Sequence, residues 1–448
     1  MRSSPKLRSL FLSLTFAAAA RCATAGGVQS PAQIGDRIQE QSGQRVRTTP
    51  GTPEIPEGIV VTDGLTQGEA VAIALWNNPD FHAGLAELGI ARADVAQAGL
   101  LRNPVLTLLL PWGPKQMEAT AKWPIDAIWQ RPKRLRAARS AADAVAERLV
   151  VAGLTLVADV RLAHADVEAA QERVTLTSDA AALAQRISDI VRKRFEAGDI
   201  SELESDAASV DARRAGQDAA RAALDVTLAT DRLHQLLAIG DRIPPAAVRA
   251  SQEPVVTSAC GDLPALERNA LAARPELRAA ELEIEAVAAR LGWERSRIFT
   301  LLGVLDANWK GTKGFELGPG LESDLGLFDR NQAGVMHAGA ELQRGEARYR
   351  AARLLVEREV RDAYAQLEQS QRALTAWRDD IRPKLERQIG QTERAYQAGE
   401  LPLLAVLEAS RRLNESRARE LEAAAGVRRA VVLVERSAGR GCASAAGQ

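Results

Sequence analysis

The sequence predicts an α+β membrane protein in which long coiled-coil α-helices are joined to short β-strands that pair as hairpins. Three observations lead to this fold class. The chain contains an internal repeat, each half has a helical run far longer than a compact domain needs, and each half has a segment of alternating apolar and polar residues.

The first residues have the pattern of an export signal. Basic residues between Arg2 and Arg8 precede an apolar run over residues 9–20. Cleavage after Ala25 would follow an Ala-x-Ala pattern, whereas Cys22 could instead become a lipidated N-terminus. Both alternatives export the mature chain from the cytoplasm.

The composition argues against a nucleic-acid-binding protein and against a compact enzyme. Lys+Arg and Asp+Glu both number 58, so the net charge is zero, whereas a nucleic-acid binder needs a basic surface. Hydrophobic residues reach 46% but aromatic residues only 4%, which is typical of long helices with thin cores. No run of about 20 apolar residues follows the signal, so we expect no transmembrane helix in the mature chain.

An internal repeat organises the rest of the chain. Arg194–Ile200 recurs as Ala395–Leu401, and the segment around Pro79 recurs around Pro275. The two pairs are separated by nearly the same number of residues, which indicates a duplication. We expect a helix to begin at each of the two prolines, since proline is favourable in the first helical turn.

Each half is predicted to contain one very long helix. Apolar residues recur at steps of three and four from Leu149 in the first half and from Val356 in the second, which indicates a coiled-coil seam. The helices should span residues 133–195 and 330–396, on the order of 95–100 Å each. Pro383 should kink the second helix.

Two β-hairpins are predicted, at residues 104–129 and 301–328. Odd positions from Met117 to Trp129 are all apolar and even positions are mostly polar, and a weaker alternation occurs in the second hairpin. Asp306 and Asp324 fall on the polar side, which would face the lumen of a barrel. Three tryptophans would suit the membrane interface; they are Trp123, Trp129 and Trp309.

The strand count predicts a trimer. Four strands cannot close a barrel of useful bore, and open sheet edges are not tolerated in lipid. Three chains would supply about twelve strands, an even number within the range of outer-membrane barrels. The alternative is two surface hairpins on a soluble helical protein.

No catalytic or metal-binding pattern is visible, so we expect neither an enzyme nor a cofactor. The four histidines are scattered, and none is paired with a cysteine or carboxylate at zinc-ligand spacing; they are His82, His164, His234 and His337.

Several motifs together resemble those of TolC-type outer-membrane efflux proteins. They include the run 67–104, the two aromatic-x-x-Gly turns and the segment Leu407-Glu408-Ala409. The segment from Leu327 to Gln332 resembles the second barrel exit of the CzcC-like branch, which exports heavy-metal cations. The likeness covers residues 65–437.

The resemblance implies a homotrimer with a 12-stranded outer-membrane β-barrel in lipid and a periplasmic α-barrel. Such a channel passively conducts solutes, heavy-metal cations among them, from an inner-membrane pump (RND type) and a periplasmic adaptor protein. The helix-tip turns would contact the adaptor; their residues are Phe195, Gly198, Tyr396 and Gly399.

The resemblance also implies an acidic ring at the periplasmic aperture. The matching positions are Ala405 and Glu408, and the first of these is not acidic. The first-half counterpart of Ala405 is Glu204, so Glu204 and Glu408 together are the aperture candidates, where carboxylates would favour cations. In the family, the regions that hold Cys260 and Cys442 form an equatorial belt, and a disulfide between these two residues is a hypothesis.

The predicted organisation has a signal peptide, an N-terminal extension, two structural repeats and a C-terminal tail. These occupy residues 1–25, 26–63, 64–262, 263–438 and 439–448. The main alternative function is a periplasmic coiled-coil adaptor or scaffold. That alternative would explain the long helices, but not the duplication or the paired hairpins.

Overall fold

The computed structural model describes residues 28–49, 51–110, 117–239, 248–249, 261–298, 300–309 and 314–439. The predicted signal peptide lies outside these ranges. So do the residues of the lipidation and disulfide hypotheses, Cys22, Cys260 and Cys442.

From α2 onward, the two halves of the chain repeat one order of elements. The first half contains α1 (Pro31–Ser42), α2 (Gln67–Asn77), α3 (Pro79–Gly99), β1 (Val105–Leu109), β2 (Glu118–Pro124), α4 (Asp126–Glu196) and α5 (Glu202–Leu237). The second contains α6 (Leu263–Ala273), α7 (Pro275–Glu294), β3 (Leu301–Trp309), β4 (Phe315–Ser323), α8 (Gln332–Thr375), a π-helical turn (Ala376–Ile381), α9 (Arg382–Gln397) and α10 (Leu403–Ala438).

The helix break before each proline is the same in both halves. Asn78 and Arg274 have extended backbones, with ψ angles of 121° and 125°, because a following proline disfavours the helical region. The side chain of Asn78 then accepts hydrogen bonds from the amides of Asp80 and Phe81, at 3.0 and 3.1 Å, and so starts α3.

The four strands form one antiparallel sheet in the order β1-β2-β3-β4. They lie within the two segments predicted as hairpins. The pair β2–β3 joins the two halves of the chain, with Thr120 opposite Asp306. Asp306 is in turn opposite Gly318 of β4, so directly opposed residues share one face of the sheet.

The first long helix begins earlier than predicted. β2 ends at Pro124 and α4 starts at Asp126, so Trp129 lies on a helix and not on a strand. Asp126 is in the first helical turn, where a carboxylate is favourable, and Gln130 donates to it at 3.2 Å. Pro132 lies inside α4 rather than before it; the helix tolerates it within its first two turns.

The second long helix is interrupted just before Pro383. A π-helical turn replaces α-helix there, and the amide of Arg382 donates to the carbonyl of Trp377, five residues earlier. A wider turn of this kind accommodates the hydrogen bond that proline cannot donate. The corresponding part of α4 continues as α-helix through Glu196.

The chain divides into two compact units, each of which contains segments of both repeats. The first unit comprises residues 1–34, 83–151 and 275–354, and therefore holds the sheet. Its helical core includes Val28, Val95 and Ala142. An ion pair of 2.5 Å links Arg148 of α4 to Glu283 of α7.

The second unit comprises residues 35–82, 152–274 and 355–448. Leu233 and Leu237 of α5 are fully buried there, and Asn78 donates to the carbonyl of Leu236 at 3.3 Å. Ion pairs fasten α10 to α4, including Arg429 to Asp166 at 2.6 Å.

Within the second unit, the N-terminal extension packs closely on α4 at Gly153. A Cβ atom at this glycine would lie 2.5 Å from Cδ1 of Ile38, closer than packed atoms approach. Ile38 is fully buried. The extension is therefore part of the folded core, which its position before the repeats did not reveal.

In the part of the chain that the structure describes, no helix combines the length and the apolar character needed to cross a membrane.

His164 is a buried titratable group on α4. Its Nε2 atom lies 3.0 Å from the carbonyl oxygen of Leu65, and its Nδ1 atom is buried without a hydrogen-bond partner. Burial lowers the pKa of His164, and the hydrogen bond to Leu65 opposes that shift only in part. The ring is therefore neutral in the folded protein at neutral pH.

We expect this histidine to make folding pH-dependent. Because its pKa is lower in the folded state, the unfolded state binds the extra proton first, and stability should fall as the pH drops below about 6.5, by at most about 1.4 kcal/mol per pH unit. The measurement is the unfolding midpoint in detergent between about pH 7.5 and 5. His164→Leu should show a shallower slope, whereas His337→Gln, at an exposed site, should retain the wild-type slope.

Candidate functional site

The two aromatic-x-x-Gly turns end their helices in the same way. Gly198 and Gly399 have φ angles of 79° and 78°, a backbone region that favours glycine. The amide of Gly198 donates to the Phe195 carbonyl, and that of the next residue donates to the carbonyl of Arg194, at 2.9 Å each. The same pair of bonds closes the second turn, from Gly399 and Glu400. Both turns are Schellman motifs, so the predicted helix tips are well-defined structures.

The structure brings the two turns together within the second unit. The guanidinium of Arg194 donates to the hydroxyl of Tyr396. These residues occupy the last helical turns of α4 and α9. The C-terminal ends of α4 and α9 are therefore neighbours.

Glu204, the first aperture candidate, has a structural partner. Its carboxylate accepts hydrogen bonds from the backbone amide and the hydroxyl of Ser201, at 3.1 Å each. The Ser201 hydroxyl accepts in return from the Glu204 amide at 3.4 Å. This reciprocal capping box starts α5, and the sequence pattern Ser-x-x-Glu would have identified it.

The second repeat starts the equivalent helix without a capping box. Pro402 is its N-cap and makes no side-chain cap bond, and Ala405 stands where the first repeat has Glu204. Glu408, the second aperture candidate, pairs with Arg412 at 2.5 Å, and both side chains are more than half exposed. The two candidates therefore have different surroundings: Glu204 is tied to a helix end, while Glu408 lies on an open helix surface.

A groove of about 890 Å³ lies among α4, α5 and α10 in the second unit. An ion pair of 2.7 Å between Asp211 and Arg411 joins α5 to α10 at its edge. Its lining combines apolar and charged side chains; among them are Leu176, Leu183, Ile187, Val210, Arg173, Arg213 and Asp218. Apolar residues between charged ones along helices form a surface suited to another helix. The sequence did not reveal this groove, because it depends on the packing of three helices.

In the first unit, the two faces of the sheet differ in chemistry. One face of the sheet is almost wholly apolar; this apolar face comprises Leu106, Leu108, Ala119, Ala121, Trp123, Leu301, Gly303, Leu305, Ala307, Trp309, Phe315, Leu317, Pro319, Leu321 and Ser323. Four further apolar residues lie on the opposite face; they are Val105, Leu109, Leu302 and Val304. The opposite, polar face carries the charged residues Glu118, Lys122, Asp306, Glu316 and Glu322. Alternation along each strand and the register between strands produce this division.

Asp306 is the centre of a hydrogen-bond group on the polar face. It accepts from the Thr120 hydroxyl at 2.7 Å and from the Asn308 amide at 2.9 Å. Lys122 reaches across β3 to Glu322, at 2.5 Å. The sequence indicated which strand positions are polar, but these contacts depend on pairing between residues far apart in the chain.

Asp324, the other predicted lumen residue, lies just beyond the end of β4. Its carboxylate accepts from the Thr300 hydroxyl at 2.7 Å. Asp324 therefore ties the start of β3 to the end of β4 and does not join the Asp306 group. Among the described residues, no group of His, Cys, Asp and Glu could hold a metal ion.

Comparison with known proteins relates both units to one family. The sequence profile described as "Outer membrane efflux protein" matches residues 70–238 and 266–440. The cobalt-zinc-cadmium resistance protein CzcC of Cupriavidus metallidurans is 26% identical over 389 residues, which cover 84% of this chain and 90% of that protein.

Two solved structures show the same fold. A membrane protein from Pseudomonas aeruginosa has a TM-score of 0.72 at 21% identity, covering 88% of this chain and 97% of its own. CusC, whose structures concern folding and transmembrane channel formation, has a TM-score of 0.69 at 18% identity, covering 89% and 98%.

The capping box makes the start of α5 sensitive to Ser201. Ser201→Ala should destabilise this helix end by about 1 kcal/mol, because the amide of Glu204 loses its acceptor. Amide hydrogen exchange over the first turn of α5 should become roughly five-fold faster. Ser209→Ala, farther along the same helix, should leave that exchange unchanged; an equal effect of both changes would contradict the cap.

Proposed function

This chain belongs to the outer membrane efflux protein family, and we propose that three copies of it form one passive conduit for exported solutes. Like its relatives, the protein is an outer-membrane efflux channel with a large helical portion in the periplasm. The proposal concerns its assembly, its partners and its cargo.

The sheet carries the proposal for assembly. One face is apolar, the other is charged, and β1 and β4 are edge strands. A membrane does not tolerate open edges, because their amides and carbonyls would lack partners. Pairing of β4 with β1 of the next copy would close a barrel of about twelve strands, with the apolar face toward lipid and the polar face toward water.

The helix tips support the proposal for partners. We propose that a periplasmic adaptor contacts the two turns and that an inner-membrane pump, of the RND type, delivers the solute. The groove among α4, α5 and α10 offers apolar residues flanked by arginines and aspartates, which suits a helix of the adaptor. Because the turns at Gly198 and Gly399 are already ordered, adaptor binding at these turns would cost little conformational entropy of this chain.

The charges support cations as cargo. CzcC is named for resistance to cobalt, zinc and cadmium, and we propose heavy-metal cations as the solute class here. On the polar face, four carboxylates accompany one lysine. Three copies would line one lumen with this excess of negative charge, which attracts cations and repels anions. Glu408, and Glu204 if its cap opens, would add to the same bias at the aperture.

A substitution pair on β3 tests the assignment of the two faces. Leu305 belongs to the apolar face and its neighbour Val304 to the polar face. Leu305→Arg should cost about 2–4 kcal/mol near the centre of the membrane and abolish most of the heat-resistant trimer in outer-membrane extracts. Val304→Arg introduces the same charge one residue away and should retain the trimer. Equal trimer yields from both variants would refute the barrel.

The cation preference depends on Asp306. Asp306→Asn removes one negative charge per chain and preserves the size of the side chain. In planar bilayers with a salt gradient, we expect the cation-to-anion permeability ratio to fall by roughly two-fold. Glu422→Gln, on the exposed surface of α10, is the control and should not change the ratio. If the cation-to-anion permeability ratio of Asp306→Asn equals that of wild type, the polar face does not determine the cation preference.

A further inference from the structure

We propose that Arg102, Arg131 and Arg134 form a binding site for the phosphate group of an anionic phospholipid, where the sheet meets the helices of the first unit. The inference rests on the proposed function, since it requires the apolar face of the sheet to lie in lipid. It adds a specific lipid contact at the periplasmic surface of the membrane.

The arginines are held together by the end of α3. Arg131 Nε donates to the carbonyl of Gly99 at 2.6 Å. Arg134 donates from Nε to Ala98 at 3.0 Å and from Nη2 to Leu100 at 2.6 Å. Arg102 follows only two residues after Leu100. Backbone carbonyls thus fix two of the guanidinium groups and leave other N–H groups of each available.

The cluster has surplus positive charge. The pKa of Arg134 is lowered, first by burial and then by repulsion from Arg102 and Arg131. From residue 127 to residue 142 the chain has five basic residues and no acidic one. An anion placed between the guanidinium groups would relieve this repulsion.

Capping of α3 does not explain the positive charge of the arginine cluster. The second repeat caps the end of the equivalent helix, α7, without such a cluster. The last carbonyl of α7, at Glu294, accepts from the side-chain amide of Asn331 at 2.9 Å. The nearby Arg297 is neutralised by the carboxylate of Glu294 at 3.1 Å. An uncharged amide and a balanced ion pair therefore suffice for this junction, and the three arginines of the first repeat serve another purpose.

The surroundings identify a lipid and not a free anion. Four large apolar side chains beside the cluster are exposed; they are Leu100, Leu101, Ile128 and Trp129. Arg102 lies three residues before β1, which begins at Val105, and Leu106 is the first residue of that strand on the apolar face. Acyl chains would cover the apolar residues while the arginines bind the phosphate in a fork. Tryptophan is favoured at this depth of a membrane.

Charge reversal at Arg102 tests the site without removing a helix cap. The full-length trimer is extracted in detergent, and phosphatidylglycerol and phosphatidylcholine bound per chain are measured by native mass spectrometry. Wild type should prefer phosphatidylglycerol. Arg102→Glu changes the local charge by two units, and its affinity for phosphatidylglycerol should be on the order of thirty-fold weaker. Arg330→Gln, at the junction of the second repeat, should bind phosphatidylglycerol as wild type does.

Three results would overturn the proposal. They are equal phosphatidylglycerol binding by wild type and Arg102→Glu, equal binding of the two lipids by wild type, and displacement of the lipid by excess inorganic phosphate, which would identify a plain anion site. Bilayer conductance of the same preparation distinguishes failure of the lipid site from failure of the proposed channel function. A conducting trimer without lipid preference contradicts only the lipid site, whereas absence of a trimer contradicts the proposed function itself.

Discussion

Every backbone amide and carbonyl needs a hydrogen-bond partner, and this requirement determines how the helices of this structure end and how its strands pair. Helix ends leave such groups free, and the chain satisfies them by several local devices. Schellman turns close α4 and α9, a capping box opens α5, and Asn331 covers the last carbonyl of α7. Among the described residues, β1 and β4 are the edge strands of the sheet, and in the proposed trimer their outer amides and carbonyls would pair with those of another copy. The same rule accounts for the ordered tips and supports the proposed assembly.

Duplication explains why these devices come in pairs, and divergence explains where they differ. The helix breaks at Asn78 and Arg274 share a geometry set by the following proline. The helix starts after the two glycine turns do not: a Ser201–Glu204 box serves the first, and Pro402 the second. The break before each proline is thus the same in both repeats, whereas the capping box is present only at the start of α5 and is absent at the start of α10.

Much of this fold could be predicted from the sequence because it depends on local patterns. The long helices follow from the coiled-coil spacing, and the strands from alternation. The start of α4 could not be placed, because the alternation continues to Trp129 although the backbone has already become helical at Asp126. The pattern Ser-x-x-Glu is sufficient to predict the cap at Glu204, because a capping box depends only on residues within one helical turn. The contact between Thr120 and Asp306 needed the register of strands from different repeats, which no local pattern contains.

The π-helical turn shows how one incompatible residue can be accommodated within a coiled coil. Pro383 cannot donate a hydrogen bond, and its ring disfavours a regular helix before it. The wider turn shifts the pairing, so that Arg382 donates to Trp377. Such a change alone would loosen the contact between α9 and α10. Glu420 of α10 compensates: its carboxylate, which is nearly buried, accepts from Arg378 at 3.2 Å and from Arg382 at 3.1 Å. Arg378 lies within the altered turn and Arg382 donates its hydrogen bond, so the ion pairs hold the two helices together at the point where the backbone departs from regular helix.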